Sequence, residues 1–239
     1  MSLSIQGEHA RLLESILGLA DPEYREGSLM VAPTEQVVHG ARVPDLRRLA
    51  KRWRRGHREA APDEILALVE SLWDGESRDE RALGLEILFL YPLIVADLKR
   101  RHFDRWRADI DNWGVCDFLA TRILGSWAAA SPEKRLRYLE ELVGDPEVWS
   151  RRLGLVASVR LNHDSDAYGE WTLAQVDCVL DERDPMITKA VSWVLRTMTK
   201  FDTEAIRSYV ESRADRMAAQ PRREVRNKLH TGRKSGRTG

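Results

Sequence analysis

The chain has 239 residues, of which 43% are hydrophobic, and 38 basic residues balance 38 acidic ones, so the formal net charge is zero. This length suits one sizeable domain or an elongated array of repeats. No apolar run is long enough to span a bilayer, and the first six residues lack the charged-then-apolar layout of a signal peptide. The two cysteines, Cys116 and Cys178, lie far apart and indicate reduced thiols. We therefore expect a cytoplasmic protein with no membrane association.

The basic residues are unevenly distributed along the chain. Between Arg213 and Gly239, nine Lys and Arg residues stand against two Asp and Glu residues, a local excess of about +7. Such a basic end is compatible with contacts to phosphates. Residues 231–239 have a Gly, Ser, Lys and Arg content that is typical of disorder. We expect them to form a basic tail after one domain of residues 1–230.

All elements predicted along the chain are helices. Apolar residues recur at helical spacing, and no alternating stretch with hairpin signals interrupts them. The clearest sets are Leu46, Leu49, Ala50 and Trp53, then Ile65, Leu68, Val69 and Leu72, and later Ile187, Val191, Val194 and Leu195. Helix starts are predicted where a capping side chain precedes a proline, at Asp21-Pro22, Ser131-Pro132, Asp145-Pro146 and Asp184-Pro185. Residues 24–43 are the least regular stretch and form either a helix with a broken end or a loop.

A short pattern of a basic, an aliphatic and a small residue recurs along the chain. The segment 81–85 (RALGL) returns as 151–155 (RRLGL), with looser copies at 122–126 and 189–193. Their starts are 41, 29 and 38 residues apart, which scatters around the period of HEAT-like helical repeats. Helix pairs that cannot bury their apolar faces alone stack on their neighbours. The repeat predicts an all-α fold, a curved solenoid of stacked antiparallel helix pairs. Its concave face would be able to cradle a duplex. The alternative is that the matches arise by chance in a chain rich in Leu and Arg.

The segment 111–117 (DNWGVCD) is the strongest candidate for a functional site. Asp111 and Asn112 can cap a helix that carries Trp113 and Asp117 one turn apart on the same face. An aromatic ring attracts cations through its quadrupole, and a carboxylate attracts them through its charge. A buried carboxylate is expensive without a partner, so the pair predicts a pocket for a positively charged group, although a lone helical Asp is more often a surface residue.

Two later segments carry candidate phosphate contacts. Arg151 and Arg152 open a helix, and a planar guanidinium fork is suited to grip a phosphate. In the segment 192–196 (SWVLR), Trp193 and Arg196 place a ring and a guanidinium on one helical face. A sugar and a phosphate could be held there side by side. Ordinary solvent exposure of these arginines, and a core position for the tryptophan, are the alternatives.

Taken together and in this order, these residues resemble the AlkD family of DNA glycosylases, and the likeness covers roughly residues 8–229. Further similarity lies in Leu72-Trp73-Asp74, in residues 79–88, in 193–200 and in Arg222-Arg223-Glu224. The resemblance implies a catalytic set of Trp113, Asp117, Arg152 and Trp193. It also implies a DNA-contacting set of Arg151, Arg196, Lys200, Arg222, Arg223 and Arg226. Two departures are Gly114, where many members carry a polar or acidic residue, and the segment 29–32 (LMVA), which lacks the aromatic residue often found there.

The activity implied is hydrolysis of the N-glycosidic bond of 3-methyladenine or 7-methylguanine in duplex DNA, by a monofunctional enzyme. We expect no metal or cofactor, and we expect a monomer because a solenoid that cradles DNA needs its concave face free. A non-catalytic HEAT-repeat DNA-binding protein or scaffold is the main alternative. A metal-dependent hydrolase is disfavoured because His9, His39, His57, His102, His163 and His230 show no ligand spacing.

Overall fold

The computed structural model describes residues 3–235 and arranges them in two compact units, one ending at Leu119 and the other starting at Ala120. The helices of the first unit are α1 (Ile5–Leu17), α2 (Pro22–Val31), α3 (Val43–Gly56), α4 (Pro62–Trp73), α5 (Arg78–Phe89), α6 (Pro92–Asp97), α7 (Arg100–Arg107) and α8 (Trp113–Phe118). A π-helical segment, Leu119–Leu124, follows α8 directly.

The second unit continues with the same type of element. Its helices are α9 (Gly125–Ala129), α10 (Pro132–Val143), α11 (Val148–Leu161), α12 (Gly169–Val179), α13 (Pro185–Met198), α14 (Thr203–Ser212) and α15 (Ala219–Thr231). Between residues 3 and 235 the only extended pairing is an isolated bridge from Val37 to Ser77. The prediction of an all-α fold is confirmed.

Each unit is built from helices that pack on their neighbours through buried aliphatic side chains. In the first unit, α5 packs against both α3 and α4, and Leu68, Leu72 and Leu83 are fully buried there. In the second unit, α11 packs against α10 and α13, and α13 packs against α15. Short links join α4 to α5 and α10 to α11, which favours antiparallel pairs. None of the helices described is long and apolar enough to cross a membrane.

The predicted helix starts are largely correct. Asp21 caps α2 by accepting a hydrogen bond from Tyr24 N, and Asp184 caps α13 by accepting one from Met186 N. Ser131 stands at the N-cap of α10, but its side chain makes no capping bond. The prediction at Asp145-Pro146 is wrong, since α11 begins at Val148. The first helical acceptor is the carbonyl of Glu147, which binds Arg151 N, whereas the carbonyls of Asp145 and Pro146 accept bonds from the Arg151 guanidinium.

The structure shows which parts of the irregular stretch 24–43 and of the predicted C-terminal tail are helical. The irregular stretch at 24–43 contains most of α2, a non-helical segment from Ala32, and the start of α3. At the other end, helix α15 runs to Thr231, and Gly232 closes it in the left-handed conformation at φ 71°. Residues 236–239 of the predicted tail lie outside the described residues.

Candidate functional site

The start of α8 is held by two adjacent side chains with different partners. Asn112 is the N-cap and accepts a hydrogen bond from Val115 N at 3.0 Å. Asp111 instead accepts bonds from Thr34 Oγ1 at 2.6 Å, Glu35 N at 2.8 Å and Gln36 Nε2 at 2.8 Å. Burial raises the pKa of Asp111, but hydrogen bonds from Thr34, Asn112 and Glu35 outweigh it and leave the pKa below its usual value. The carboxylate therefore ties the segment after α2 to the base of α8.

Trp113 is half-buried and is fixed through its ring nitrogen. Its Nε1 donates to the carbonyl of Val31, the last residue of α2, at 3.0 Å. The indole ring lines a cavity of about 630 Å³ between α2, α3, α5 and α8. Most of the residues around it are apolar or aromatic, among them Tyr24, Leu46, Ala82, Leu85 and Phe118. The ring is thus oriented by α2 while part of it stays accessible.

Two of the three acidic residues that line this cavity, Asp79 and Glu86, are already paired. Asp79 accepts hydrogen bonds from the backbone N–H groups of His39 and Ala41, at 2.9 and 2.8 Å. Glu86 forms an ion pair with Arg47 at 3.0 Å. Both carboxylates are nearly fully buried and serve to hold α3 and its preceding segment against α5.

Asp117 lies one turn after Trp113 on α8, as the spacing predicts, and is half-buried. The π-helical segment Leu119–Leu124 begins two residues later. Such turns are rare and are frequently found at functional sites. Sequence reasoning missed it because the apolar residues there recur as they do in an ordinary helix.

Arg152 and Trp193 are carried by two helices of the second unit that pack against each other, α11 and α13. The Arg152 side chain is buried, and its Nη1 donates to the carbonyl of Met186 in the first turn of α13. Trp193 lies about two turns further along α13 and is half-buried. Arg152 therefore fixes the helix that carries Trp193, in addition to any contact with a ligand.

Arg196 is drawn into a buried polar cluster. Its Nε donates to Ser192 Oγ at 3.1 Å, and Ser192 donates to Glu224 Oε2 on α15 at 2.5 Å. Burial lowers the pKa of Arg196. Burial also opposes ionisation of Glu224, but bonds from Ser192 and Gln220 outweigh it and lower the pKa of that carboxyl. The cluster joins α13 to α15.

Arg151 is held by carbonyl groups and a carboxylate of its own unit. Its guanidinium donates to the carbonyls of Asp145 and Pro146 and pairs with Glu182 at 3.0 Å. Arg81, the matching residue of the first copy of the repeat, donates in the same way to the carbonyls of Trp73 and Asp109. Both arginines bind carbonyls at or just after the ends of neighbouring helices. This shared geometry indicates a structural role.

The remaining predicted DNA contacts differ in how available they are. Lys200 donates to the carbonyl of His163 and lies 4.5 Å from the Phe201 ring, and Arg222 donates to the carbonyl of Ala214. Arg223 and Arg226 are exposed on α15. In residues 3–235, no group of three or more His, Cys, Asp or Glu side chains is placed to hold a metal ion.

This architecture of stacked helix pairs with polar and aromatic residues on successive helices defines an all-helical repeat protein. The chain belongs to the DNA alkylation repair enzyme family, whose model matches residues 12–229. No curated protein matches it significantly.

Two solved structures are similar to the chain over nearly their whole length. One is described as a predicted DNA alkylation repair enzyme from Enterococcus faecalis, with a TM-score of 0.71, 16% identity, and coverage of 89% of this chain and 97% of that one. The other is AlkD2 from Streptococcus mutans, with a TM-score of 0.60, 14% identity, and coverage of 95% and 97%. At these identities the likeness concerns the fold alone.

Proposed function

We propose that this protein is a monofunctional DNA glycosylase that removes positively charged alkylated purines, such as 3-methyladenine and 7-methylguanine, from duplex DNA. The observation that carries the proposal is the placement of Trp113 and Asp117 one turn apart on α8, with the Trp113 ring on an accessible cavity. Membership of the DNA alkylation repair family supports it.

The chemistry needs little acid catalysis, because an N3- or N7-alkylated purine is already cationic. When the bond from sugar C1′ to the base nitrogen breaks, the electron pair goes to the base and neutralises it. The sugar becomes oxocarbenium-like, and water adds to C1′ and loses a proton. Asp117 stabilises the positive sugar electrostatically and positions this water. Preorganised charge stabilisation of this kind is usually a large catalytic contribution.

The other residues of the catalytic set act on the sugar and the backbone. Trp113 and Trp193 contact the deoxyribose and favour positive charge on it, and Arg152 contacts a neighbouring phosphate. The family resemblance implies that the base is not flipped into a tight pocket, in contrast to most enzymes that modify bases. Selectivity then comes from the intrinsic lability of the cationic lesion.

The function is tested by incubating the purified protein with methylated duplex DNA and separating the released bases, while duplex binding is measured on the same preparation. Release of 7-methylguanine or 3-methyladenine supports a glycosylase. Binding without release would instead indicate a non-catalytic DNA-binding protein. If the protein neither binds the duplex nor releases a base, the proposal that it acts on DNA is overturned.

A further inference from the structure

A second positively charged surface lies at the C-terminal end of α3, on the first unit. It surrounds a hollow of about 610 Å³. The hollow is lined by Lys51, Arg54, Arg55, Arg58, Leu90 and Tyr91. Four of these six side chains are cationic, and the four cations are exposed. We refer to Lys51, Arg54, Arg55 and Arg58 as the α3 basic cluster.

Two other arginines of α3, Arg47 and Arg48, are neutralised by carboxylates, but the cluster is not. Arg47 pairs with Glu86, and Arg48 pairs with Asp45. Within the described part of the chain, no carboxylate forms an ion pair with any member of the α3 basic cluster. Arg54 lies over the ring of Tyr91 at 5.2 Å. Like charges at helical spacing repel each other, so a ligand that neutralises them is favoured.

The helix end alone does not account for these four charges. Cations in the last turn of a helix are stabilised by the macrodipole, which explains Arg54 and Arg55 at the end of Val43–Gly56. Lys51 lies a turn earlier, and Arg58 lies beyond the last helical residue. The adjacent Tyr91 hydroxyl is buried and has no hydrogen-bond partner in the region described, so an unsatisfied polar group lies beside the cluster.

The chemistry of the cluster matches an extended chain of phosphates. Arginine recognises phosphate oxygens through a planar fork. The Cβ atoms of residues three or four apart on a helix lie about 5–6 Å from each other, so the cations they carry form a closely spaced row that suits the dense charge along a DNA strand. No glycine-rich backbone cradle surrounds the hollow to fix a small anion, since its described lining consists of long side chains.

The position of the cluster separates it from the cavity beside Trp113. Val43 and Leu46, at the N-terminal end of α3, line that cavity, and the 14 residues of α3 extend about 21 Å. A ligand in contact with the cluster would therefore lie toward the C-terminal end of α3, away from the residues at its N-terminal end that line the cavity beside Trp113.

We propose that the α3 basic cluster binds the phosphate backbone of duplex DNA away from the lesion, independently of base sequence and of damage. The inference rests on the proposed function only in taking duplex DNA as the ligand. It predicts a contribution to affinity and salt dependence that is the same for intact and methylated DNA, with no contribution to bond cleavage.

The test compares two double variants of the full chain, each of which replaces one lysine and one arginine by glutamine. Lys51→Gln with Arg55→Gln changes the cluster, and Lys134→Gln with Arg101→Gln changes two exposed cations elsewhere that have no partner in the described region. Affinity for an undamaged duplex is measured across a range of salt concentrations. For the cluster variant we expect the salt slope to fall by about 2 and low-salt affinity to fall on the order of tenfold. The control should change much less.

Base release at saturating protein is measured in parallel. An unchanged rate for the cluster variant, together with its weaker binding, supports the proposal. Unchanged slope and affinity, or equal losses in both double variants, would overturn it even if the wild type releases methylated bases. A wild type that binds the duplex but releases no base would contradict the proposed glycosylase activity. The proposed contact to the DNA backbone would then still be tested by the salt slope of the cluster variant.

Discussion

Gly84 and Gly154 make the same contact between helices at points 70 residues apart in the chain. A Cβ atom added at Gly84 would lie 3.3 Å from Leu72 Cβ and 3.4 Å from the Val69 carbonyl. One added at Gly154 would lie 2.8 Å from Leu142 Cβ and 2.9 Å from the Leu139 carbonyl. In both cases the glycine of the second helix of a pair faces the same two positions of the first helix. The recurring RxLGL pattern therefore reflects a real structural repeat of the α4–α5 and α10–α11 pairs.

The two glycines should respond differently to alanine. Gly154→Ala brings its methyl group too close to backbone atoms, and overpacking of this kind costs about 1–3 kcal/mol of unfolding free energy. Gly84→Ala makes one tight contact, at 3.3 Å from Leu72 Cβ, and the gain in helix propensity, about 1 kcal/mol, offsets most of its cost. Urea unfolding of both variants measures this. A larger loss for Gly84→Ala than for Gly154→Ala would contradict the contact geometry.

Arg151 and Arg226 should separate structural from DNA-binding arginines. Arg151→Ala removes bonds to two carbonyls and to Glu182, so we expect a loss of about 1–3 kcal/mol in stability. Arg226 is exposed, so Arg226→Ala should leave stability nearly unchanged and lower the salt slope of duplex binding by about 1. Denaturation and salt-dependent binding assays distinguish the two. A stable Arg151→Ala protein with a reduced slope would restore Arg151 as a DNA contact.

Asp111→Ala should release the segment between α2 and α3. The variant removes the common acceptor of Thr34, Glu35 and Gln36, and a hydrogen bond to a charged group contributes about 1.5–3 kcal/mol net of the exchange with water. Hydrogen exchange should accelerate in residues 32–37 while α10 and α11 stay protected. The matched control is Asp215→Ala, at an exposed aspartate. Equal exchange in both variants would show that Asp111 does not hold this segment.

Asp177 should make stability depend on acidic pH. Burial raises its pKa, but hydrogen bonds from Arg213 and Tyr209 outweigh it, so its pKa in the folded protein lies below the usual value. Its stabilising contribution is complete above the unfolded pKa of about 3.9 and is lost as pH falls through the lower folded value. The stability difference between wild type and Asp177→Asn should therefore shrink below about pH 4. A difference that stays constant down to pH 2, in urea titrations, would contradict this.

Local patterns in the sequence were enough to predict an all-helical chain and the placement of Trp113 and Asp117 one turn apart on a helix. A helical period and an i to i+4 spacing depend only on neighbouring residues, so they are visible without the fold. The cavity at Trp113 was not predictable, because it needs α2, α3 and α5 to pack around α8.

The hydrogen-bond and ion-pair partners of the arginines could not be predicted from the sequence either. Arg151 reaches Glu182, which is 31 residues away, and this contact turns a predicted phosphate ligand into a link between helix ends. The α3 basic cluster was overlooked for the opposite reason, since its charges resemble an ordinary solvated helix face until the absence of carboxylate partners in the described region is seen. Arginines in a charge-rich chain can only be assigned once their partners are known.

The measurement that tests the central claim most directly is the single-turnover release of 7-methylguanine from methylated duplex by wild type, Asp117→Asn and the exposed control Asp215→Asn. Loss of one electrostatic stabiliser is expected to slow release by about 10²–10³-fold in Asp117→Asn, with duplex affinity retained and Asp215→Asn equal to wild type. Release by Asp117→Asn at the wild-type rate would contradict the role given to Asp117 and, with it, the catalytic mechanism proposed for α8.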